Sequence, residues 1–163
     1  MRDSASPIID SLDEAVAIRE RLAAEGKTFV LTNGCFDVIH VGHVKYLEAA
    51  RRLGDFLLVL VNSDSSVRSL KGEDRPIVPE EDRADIVGAL RCVDGVLIFS
   101  QRTAESIVER LRPDVYVKGG DHSEDEIPEA KVVRRLGGRV ELVPAVPGRS
   151  TTALVEVICR RKP

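Results

Sequence analysis

The feature that most constrains the fold of this chain is an unbroken apolar run, FLLVLV, at residues 56–61. A strand with one face in water alternates apolar and polar residues, whereas a strand covered on both faces is apolar throughout. A membrane span needs roughly 20 apolar residues, so this run is far too short to cross a bilayer. It therefore predicts a central strand of a parallel sheet with helices on both faces.

The rest of the chain supplies partners for this strand. Further β-rich runs lie at residues 28–32, 93–99, 114–117 and 139–143. Segments with helical spacing of apolar residues lie at 44–53, 80–90, 103–111, 128–136 and 150–160. Such alternation is typical of an α/β protein. We predict a single-domain, Rossmann-like fold with a five-stranded parallel sheet and helices on both faces.

An amphipathic segment precedes the first strand. Ser11 and Glu14 fit a capping box at its start, and Gly26 fits its end. We expect residues 1–26 to carry an N-terminal helix packed on the domain, with 1–7 loose, and residues 27–163 to form the domain itself.

Composition excludes several function classes. The net charge is −3, and aromatic residues are 4% of the chain with no Trp, which disfavours nucleic acid as a partner. No secretory signal and no membrane segment is visible, so no membrane partner is expected. Cys35, Cys92 and Cys159 form neither a zinc pattern nor a disulfide framework. We expect a cytoplasmic protein.

Ligands of parallel sheets bind at the carboxyl ends of the strands. The loop after the first strand, residues 32–43, reads TNGCFDVIHVGH. His40 and His43 are three residues apart at the start of a helix, so they can share one face. Gly42 lies between them and leaves room beside the backbone. Two imidazoles at a helix N-terminus suit a polyphosphate. A zinc site is less well supported because no third ligand has suitable spacing.

This loop resembles that of the nucleotidyltransferase superfamily marked by HxGH, and TNGCFDVIH is similar to its cytidylyltransferase-like branch. A second signature of that superfamily, a Ser-Thr-Thr helix start, matches GRSTT at residues 148–152. Ser150 is a good helix cap, and its neighbours can grip phosphate oxygens.

Two further segments narrow the resemblance. LKGEDRP at residues 70–76 and VKGGD at residues 117–121 are similar to segments of the bacterial heptose 1-phosphate adenylyltransferases. His122 and Arg149 depart from that pattern, where an aromatic and a small residue are expected. The resemblance covers most of the chain and implies the stand-alone form of a domain that many bacteria fuse to a sugar kinase.

The resemblance implies three sets of site residues. The catalytic set is His40, His43 and Lys45. The nucleotide-binding set is Thr32, Asn33, Gly34, Cys35, Phe36, His40, Gly42, His43, Lys118, Gly119, Asp121, Ser150, Thr151 and Thr152. The substrate-binding set is Asp37, Asp64, Lys71, Arg75, Arg83 and Gly120. Several of these residues also have ordinary structural readings, such as a solvated Lys45 or Lys71, a turn at Asp64, or a helix-surface charge at Arg83.

The implied reaction transfers AMP from ATP to D-glycero-β-D-manno-heptose 1-phosphate, giving ADP-heptose and pyrophosphate. Mg²⁺ is expected to arrive with ATP, held through phosphates and water, so no protein metal site is predicted. A homodimer and a separate heptose kinase are the expected partners. Two alternatives stay open: a cytidylyltransferase acting on glycerol 3-phosphate or a related phosphorylated alcohol, and a non-catalytic nucleotide-binding regulator.

Overall fold

A computed structural model describes residues 7–120, 123–144 and 146–160 of the chain. Five strands form one sheet: β1 (Phe29–Gly34), β2 (Phe56–Asn62), β3 (Gly95–Phe99), β4 (Val115–Gly119) and β5 (Arg139–Val143). The described helices are α1 (Leu12–Ala24), α2 (Val41–Arg51), α3 (Asp64–Lys71), α4 (Glu80–Gly88), α5 (Glu105–Leu111), α6 (Ala130–Arg135) and α7 (Thr151–Arg160), with a short 3₁₀ turn at Glu124–Glu126.

All the strand pairs are parallel, and the order across the sheet is β3-β2-β1-β4-β5. The predicted fold class, an α/β five-stranded parallel sheet, is therefore confirmed. Strand β1 lies in the middle, with β2 on one side and β4 on the other. The chain adds β2 and β3 on one side of β1 and then β4 and β5 on the other side. The strand order therefore switches at β1, and such sheets bind ligands in the crevice at this point, between the carboxyl ends of β1 and β4.

The sheet is buried on both faces, as the run at residues 56–61 requires. Leu58 and Leu60 of β2 enter one core cluster, and Leu57, Val59 and Val61 enter the other. Successive side chains of a strand point to opposite faces, so one strand supplies both clusters. Helix α1 joins the first cluster through the buried Ala15 and Leu22.

The N-terminal helix begins as predicted. Ser11 is its cap and its hydroxyl accepts the N–H of Glu14 at 3.2 Å, while the Glu14 carboxylate accepts the N–H of Asp10 at 3.0 Å. Before it, the N–H of Ile9 bonds to the carbonyl of Val96 at 2.8 Å, which ties this segment to β3. Of the segment predicted to be loose, residues 1–6 lie outside the described part of the chain, and the domain boundary at residue 26 remains a prediction.

Two elements differ from expectation. Helix α3 follows β2 after one residue, Ser63, whose hydroxyl accepts the N–H of Ser66 at 3.2 Å. The sequence predicts no helix between residues 62 and 79, yet α3 extends to Lys71, and Gly72 ends it at φ 99°. Helix α2 starts at Val41, earlier than residue 44, because His40 caps it.

Within the described residues, no helix is both long enough and apolar enough to span a membrane.

Candidate active site

A cavity of about 410 Å³ opens at the carboxyl ends of β1 and β4. Its walls come from the loop after β1, the start of α2, the end of β4 and the segment that leads into α7. It brings together fifteen of the predicted residues: Asn33, Gly34, Cys35, Phe36, Asp37, His40, Gly42, His43, Lys71, Lys118, Gly119, Gly120, Ser150, Thr151 and Thr152. The cavity thus lies at the switch point that the strand order defines.

The two histidines build the start of helix α2. His40 is the cap residue, and its Nδ1 accepts the N–H of Gly42 at 3.1 Å. His43 reaches back, and its Nδ1 accepts the N–H of His40 at 3.3 Å. The rings lie 4.0 Å apart between centroids, and Phe36 lies 5.6 Å from His43. This reciprocal pair fixes both side chains to the backbone.

The same bonds fix the tautomer of each ring. A ring nitrogen that accepts a hydrogen bond carries no proton, so each neutral imidazole has its proton on Nε2. Burial lowers the pKa of His43 to about 4, helped by the charges of His40 and Lys71. Burial, and then the Arg149 charge, also lower the pKa of His40. Both rings are therefore neutral Nε2–H donors near pH 7.

Gly42, which lines the cavity, is required by the ring of His40. A Cβ at Gly42 would lie 2.7 Å from Cε1 and 2.8 Å from Nδ1 of His40. The room beside Gly42 that the sequence predicts is therefore occupied by the side chain that caps the helix.

The start of α7 supplies the opposite wall. The Ser150 hydroxyl accepts the N–H of Ala153 at 3.1 Å, so Ser150 caps this helix as predicted. Thr151 donates its hydroxyl to the carbonyl of Val38 at 3.3 Å, which joins α7 to the loop that carries the histidines. The N-termini of α2 and α7 thus meet at one cavity, and each adds the partial positive charge of a helix start.

The cavity is cationic. Lys71, Lys118 and Arg149 line it together with the two imidazoles, and Asp37 is the one carboxylate among the described lining residues. The Asp37 side chain is 2% exposed and its oxygens are already taken by protein donors. In the described part of the chain no group of three acidic, His or Cys side chains could hold a metal. The lining therefore suits an anion.

Asp37 ties a distant loop to this wall. Its carboxylate accepts Arg75 Nη1 at 2.8 Å, the Ile77 N–H at 2.7 Å and the Val78 N–H at 3.0 Å. Burial raises the pKa of Asp37, but these donors outweigh it and hold the pKa below its ordinary value. Arg75 therefore neutralises Asp37 and does not line the cavity, and its predicted contact with substrate stays a prediction.

Arg83 and Asp64 are bonded to each other and do not line the cavity, so their predicted substrate role stays a prediction that this geometry does not support. The Arg83 side chain is 0% exposed. It donates to the carbonyls of Val78 (2.8 Å), Cys35 (2.5 Å) and Asn62 (2.7 Å) and to Asp64 Oδ1 (2.7 Å). Four of its five N–H groups are bonded to protein, and the complete burial of the side chain keeps a ligand from the fifth.

Two more predicted residues lie away from the cavity. Thr32 is fully buried, and its hydroxyl bonds to the carbonyl of Val117 at 2.9 Å and to the Tyr46 hydroxyl at 2.5 Å. The Lys45 side chain is 61% exposed and pairs with Glu48 at 3.1 Å on the outer face of α2. Neither prediction is supported by this geometry. Asp121 and His122 lie outside the described residues.

Sequence reasoning missed several lining residues: Tyr46, Val143, Pro144, Val146 and, as a binding residue, Arg149. Tyr46 lies one turn after His43 and packs against Gly119, where an added Cβ would lie 3.0 Å from the ring. Because Tyr46 follows His43 by three residues, the sequence could have placed both side chains on the same helix face. No local pattern in the sequence indicates that Val143, Pro144 and Val146 line the cavity.

The fold and this cavity define a nucleotidyltransferase: two neutral imidazole donors and two helix N-termini converge on the switch point of a parallel sheet. The chain belongs to the cytidylyltransferase-like family, whose model matches residues 31–157.

Curated relatives agree with this assignment. The chain is 50% identical over 152 residues to the bifunctional protein HldE of Geobacter sulfurreducens, covering 93% of this chain and 31% of the relative. It is 48% identical over 159 residues to the bifunctional protein HldE of Syntrophotalea carbinolica, covering 98% of this chain and 32% of the relative. The chain therefore spans about a third of the length of these curated relatives.

Solved structures agree on the fold. A lipopolysaccharide core biosynthesis protein from Thermoplasma volcanium is 30% identical with a TM-score of 0.62, covering 74% of this chain and 98% of that protein. The pantoate-β-alanine ligase of Francisella tularensis, solved with a β,γ-ATP ligand and β-alanine, is 11% identical with a TM-score of 0.62, covering 91% of this chain and 69% of that chain. The second likeness concerns the fold alone.

Proposed function

We propose that this protein transfers AMP from ATP to D-glycero-β-D-manno-heptose 1-phosphate and releases pyrophosphate. The observation that carries the proposal is the convergence of His40, His43 and the α7 N-terminus on one cationic cavity. The identity of about half the residues to HldE proteins, over nearly the whole of this chain, supports a sugar 1-phosphate as the acceptor.

The proposed reaction does not require a general base. An oxygen of the sugar phosphate, already ionised at neutral pH, attacks the α-phosphorus of ATP. The bond from that phosphorus to the bridging oxygen breaks, and pyrophosphate leaves with the electron pair. Catalysis then depends on holding the two phosphates in line and on stabilising the charge that develops as the bond breaks.

The histidines suit the stabilising role. As neutral Nε2–H donors, they can donate hydrogen bonds to phosphate oxygens. Because Nδ1 of each ring is fixed by the backbone of α2, the donors are already aimed before the transition state forms. Such preorganised donors contribute most in a site that excludes water.

The other cavity groups divide the remaining charge. The free N–H groups at the start of α7, with Ser150 and Thr151, suit the β- and γ-phosphates. Lys118 on β4 and Arg149 add positive charge beside them, and Lys71 at the end of α3 suits the phosphate of the acceptor. Asn33, Gly34, Cys35, Phe36, Gly119, Gly120 and Thr152 complete the proposed nucleotide and acceptor surface.

A divalent cation fits this site as a companion of ATP. The described lining offers no free carboxylate, because Asp37 is bonded to Arg75 and to two backbone N–H groups. Mg²⁺, which keeps most of its water, would be held by phosphate oxygens and would neutralise the departing pyrophosphate. The cavity residues themselves then bind and orient the phosphates around it.

The test is pyrophosphate release from ATP with heptose 1-phosphate, by the wild type and by His43→Ala. Losing one preorganised donor should reduce kcat by roughly 100-fold to 1,000-fold. Circular dichroism should show the fold retained, and Glu20→Gln, an exposed change on α1, is the matched control. Near-normal turnover by folded His43→Ala contradicts the proposal.

One observation favours a second activity, since the matching family model is cytidylyltransferase-like. The same assay run with CTP and glycerol 3-phosphate separates the two. Faster pyrophosphate release with that pair assigns a cytidylyltransferase. Binding of nucleotide without release under any pairing assigns a non-catalytic nucleotide-binding regulator.

The partners are proposals of the same kind. We propose a homodimer, tested by light scattering, and a separate heptose kinase that supplies the sugar 1-phosphate. The proposed need for ATP fits our expectation of a cytoplasmic enzyme.

A further inference from the structure

The side-chain amide of Asn33, at the end of β1, is held in one orientation. Its Oδ1 accepts the Tyr116 hydroxyl at 2.5 Å and Lys118 Nζ at 2.7 Å. An ammonium group can only donate hydrogen bonds, so the atom that faces Lys118 must be the amide oxygen. The amide nitrogen is therefore turned away from both of these donors.

The amide nitrogen of Asn33 carries two N–H groups that the protein does not use. Asn33 is half-buried, and its Nδ2 has no hydrogen-bond partner among the described residues. Within the same residues, the one buried side-chain nitrogen or oxygen without a partner is Glu129 Oε2, so Nδ2 is accessible. Because Asn33 lines the cavity, its two N–H groups are available to a ligand.

The two groups that orient the amide come from the interior of the sheet. Tyr116 and Lys118 are two residues apart on β4, so their side chains lie on the same face. Tyr116 is 0% exposed, and burial raises the pKa of its phenol well above the ordinary value, so the hydroxyl stays a neutral donor. Lys118 Nζ lies 5.8 Å from the centre of the Tyr116 ring, a contact that also holds the ammonium. The Asn33 amide is therefore fixed before a ligand binds.

We infer that the amide N–H groups of Asn33 bind a phosphate oxygen of a substrate, and that Tyr116 is the positioning residue that orients the amide for this contact. The two N–H groups require an acceptor. The positive charge of Lys118, which is bonded to the same amide, favours an anionic oxygen over a neutral carbonyl or ring nitrogen. The inference rests on the proposed function in taking that anion to be ATP or the sugar 1-phosphate.

The competing explanation is that Asn33 only anchors Tyr116 and Lys118. Asn33→Asp separates the two explanations, because a carboxylate still accepts both protein donors but offers no N–H group to a ligand. Tyr116→Phe removes the orienting hydroxyl without changing any charge. Tyr46→Phe is its matched control, since that hydroxyl is bonded to Thr32 and to the Val117 carbonyl instead.

The first measurement observes the amide directly by NMR in ¹⁵N-asparagine-labelled protein. The chain has two asparagines, and the Nδ2 of the buried Asn62 donates to Ser66 Oγ at 2.9 Å. Asn62 is therefore an internal reference. ATP alone, heptose 1-phosphate alone and inorganic pyrophosphate are added in turn. We expect at least one of them to shift the Asn33 side-chain N–H signals downfield and to leave those of Asn62 in place.

The pattern of shifts identifies the source of the phosphate. A shift with ATP and pyrophosphate assigns the contact to the nucleotide, and a shift with heptose 1-phosphate alone assigns it to the acceptor. If none of the three shifts the Asn33 signals, the inference is overturned. Shifted Asn33 signals in a protein that releases no pyrophosphate would instead count against the proposed function and leave the role of Asn33 standing.

The second measurement is the Kd of the ligand that shifts the signals, by calorimetry. Losing hydrogen bonds to a charged group should raise that Kd by roughly 10-fold to 100-fold in Asn33→Asp, with the fold retained by circular dichroism. If Asn33 is only an anchor, folded Asn33→Asp keeps the wild-type Kd, which contradicts the inference.

Tyr116→Phe tests the positioning role without the added negative charge of Asn33→Asp. Removing one orienting hydrogen bond should raise the same Kd by roughly 3-fold to 10-fold and should reduce the shift of the Asn33 signals on ligand binding. In the free protein, Tyr46→Phe should leave the Asn33 signals at their wild-type positions. An unchanged Kd and an unchanged shift in folded Tyr116→Phe overturn the role of Tyr116.

Discussion

At the scale of single residues, His43 predicts how this fold responds to acid. Its pKa is lowered from 6.5 to about 4, chiefly by burial. Between those pH values the unfolded chain binds a proton that the folded chain does not, so stability falls as pH falls from 6.5 toward 4. Urea unfolding across this range should show a smaller loss for His43→Gln than for the wild type. Equal losses would contradict the lowered pKa.

Gly42 gives a second residue-scale prediction. An alanine there would place Cβ 2.7 Å from the His40 ring and force the imidazole out of its cap position. Alanine favours the helix by about 1 kcal/mol over glycine, so Gly42→Ala should lose turnover without a matching loss of melting temperature. The His40 ring resonances should shift. A fully active Gly42→Ala variant would show that the His40 imidazole need not occupy its cap position for catalysis.

What the sequence reveals about single residues depends on whether their neighbours are local. His40, His43, Ser150 and Thr151 are predictable because helix capping and spacing place them. Thr32 and Arg83 are not, since their bonding partners lie on other elements of the chain. A charged residue such as Arg83 looks the same in the sequence whether its side chain bonds to substrate or to the backbone.

At the scale of elements, Asp37 holds the segment between α3 and α4. It accepts a guanidinium and two backbone N–H groups from residues 75–78. Asp37→Asn removes the ion pair and half of the acceptor capacity, so this segment and the neighbouring Lys71 should loosen. We expect a loss of about 1–3 kcal/mol of unfolding free energy and a raised KM for the acceptor.

The measurements for Asp37→Asn are urea unfolding and separate KM values for the two substrates. The lowered pKa of Asp37 adds a pH signature, since its stabilisation is present above pH 3.8 and is lost as pH falls through the folded-state pKa. An increase in the KM for ATP alone would indicate that the segment between α3 and α4 contributes to binding of the nucleotide rather than of the acceptor.

Elements were predictable where apolar periodicity is strong. Strand β2 and the order of strand-helix alternation follow from the sequence, and β5 has the predicted bounds. Helix α3 was missed because it has eight residues, is polar, and buries only Ser66 and Val67. Its capping residue Ser63 was the one local signal, and a single cap does not distinguish a helix from a turn.

At the scale of the whole molecule, Arg83 joins parts of the chain that local forces do not hold. It bonds the end of β2, the loop after β1 and the segment before α4. Arg83→Met should leave Asp64 and three carbonyls without their donor and cost about 3 kcal/mol. For a chain of this size that is a fall of roughly 6–12 °C in melting temperature.

The control for Arg83→Met is Arg135→Met, whose guanidinium is exposed and pairs with Glu109 on the surface. That pair should contribute less than about 1 kcal/mol. If both variants melt alike, the buried bonds of Arg83 do not stabilise the fold as described.

The sheet order marks the limit of prediction at this scale. Alternation predicts parallel strands with right-handed crossovers, but it does not say on which side of β1 the chain places β4. That placement creates the cavity, because it separates β1 from β4 at their carboxyl ends. It follows from contacts between distant segments, such as the Thr32–Val117 bond, which no local pattern records.

The shared cap at the start of α2 affects how genetic data on this protein should be interpreted. The imidazoles of His40 and His43 initiate a helix with one nitrogen and face the cavity in the same geometry. An inactive allele at His40 therefore does not by itself identify a lost donor, since the helix start is lost with it. Only measurements of both protein abundance and turnover for the same allele distinguish a loss of folded protein from a loss of catalytic activity.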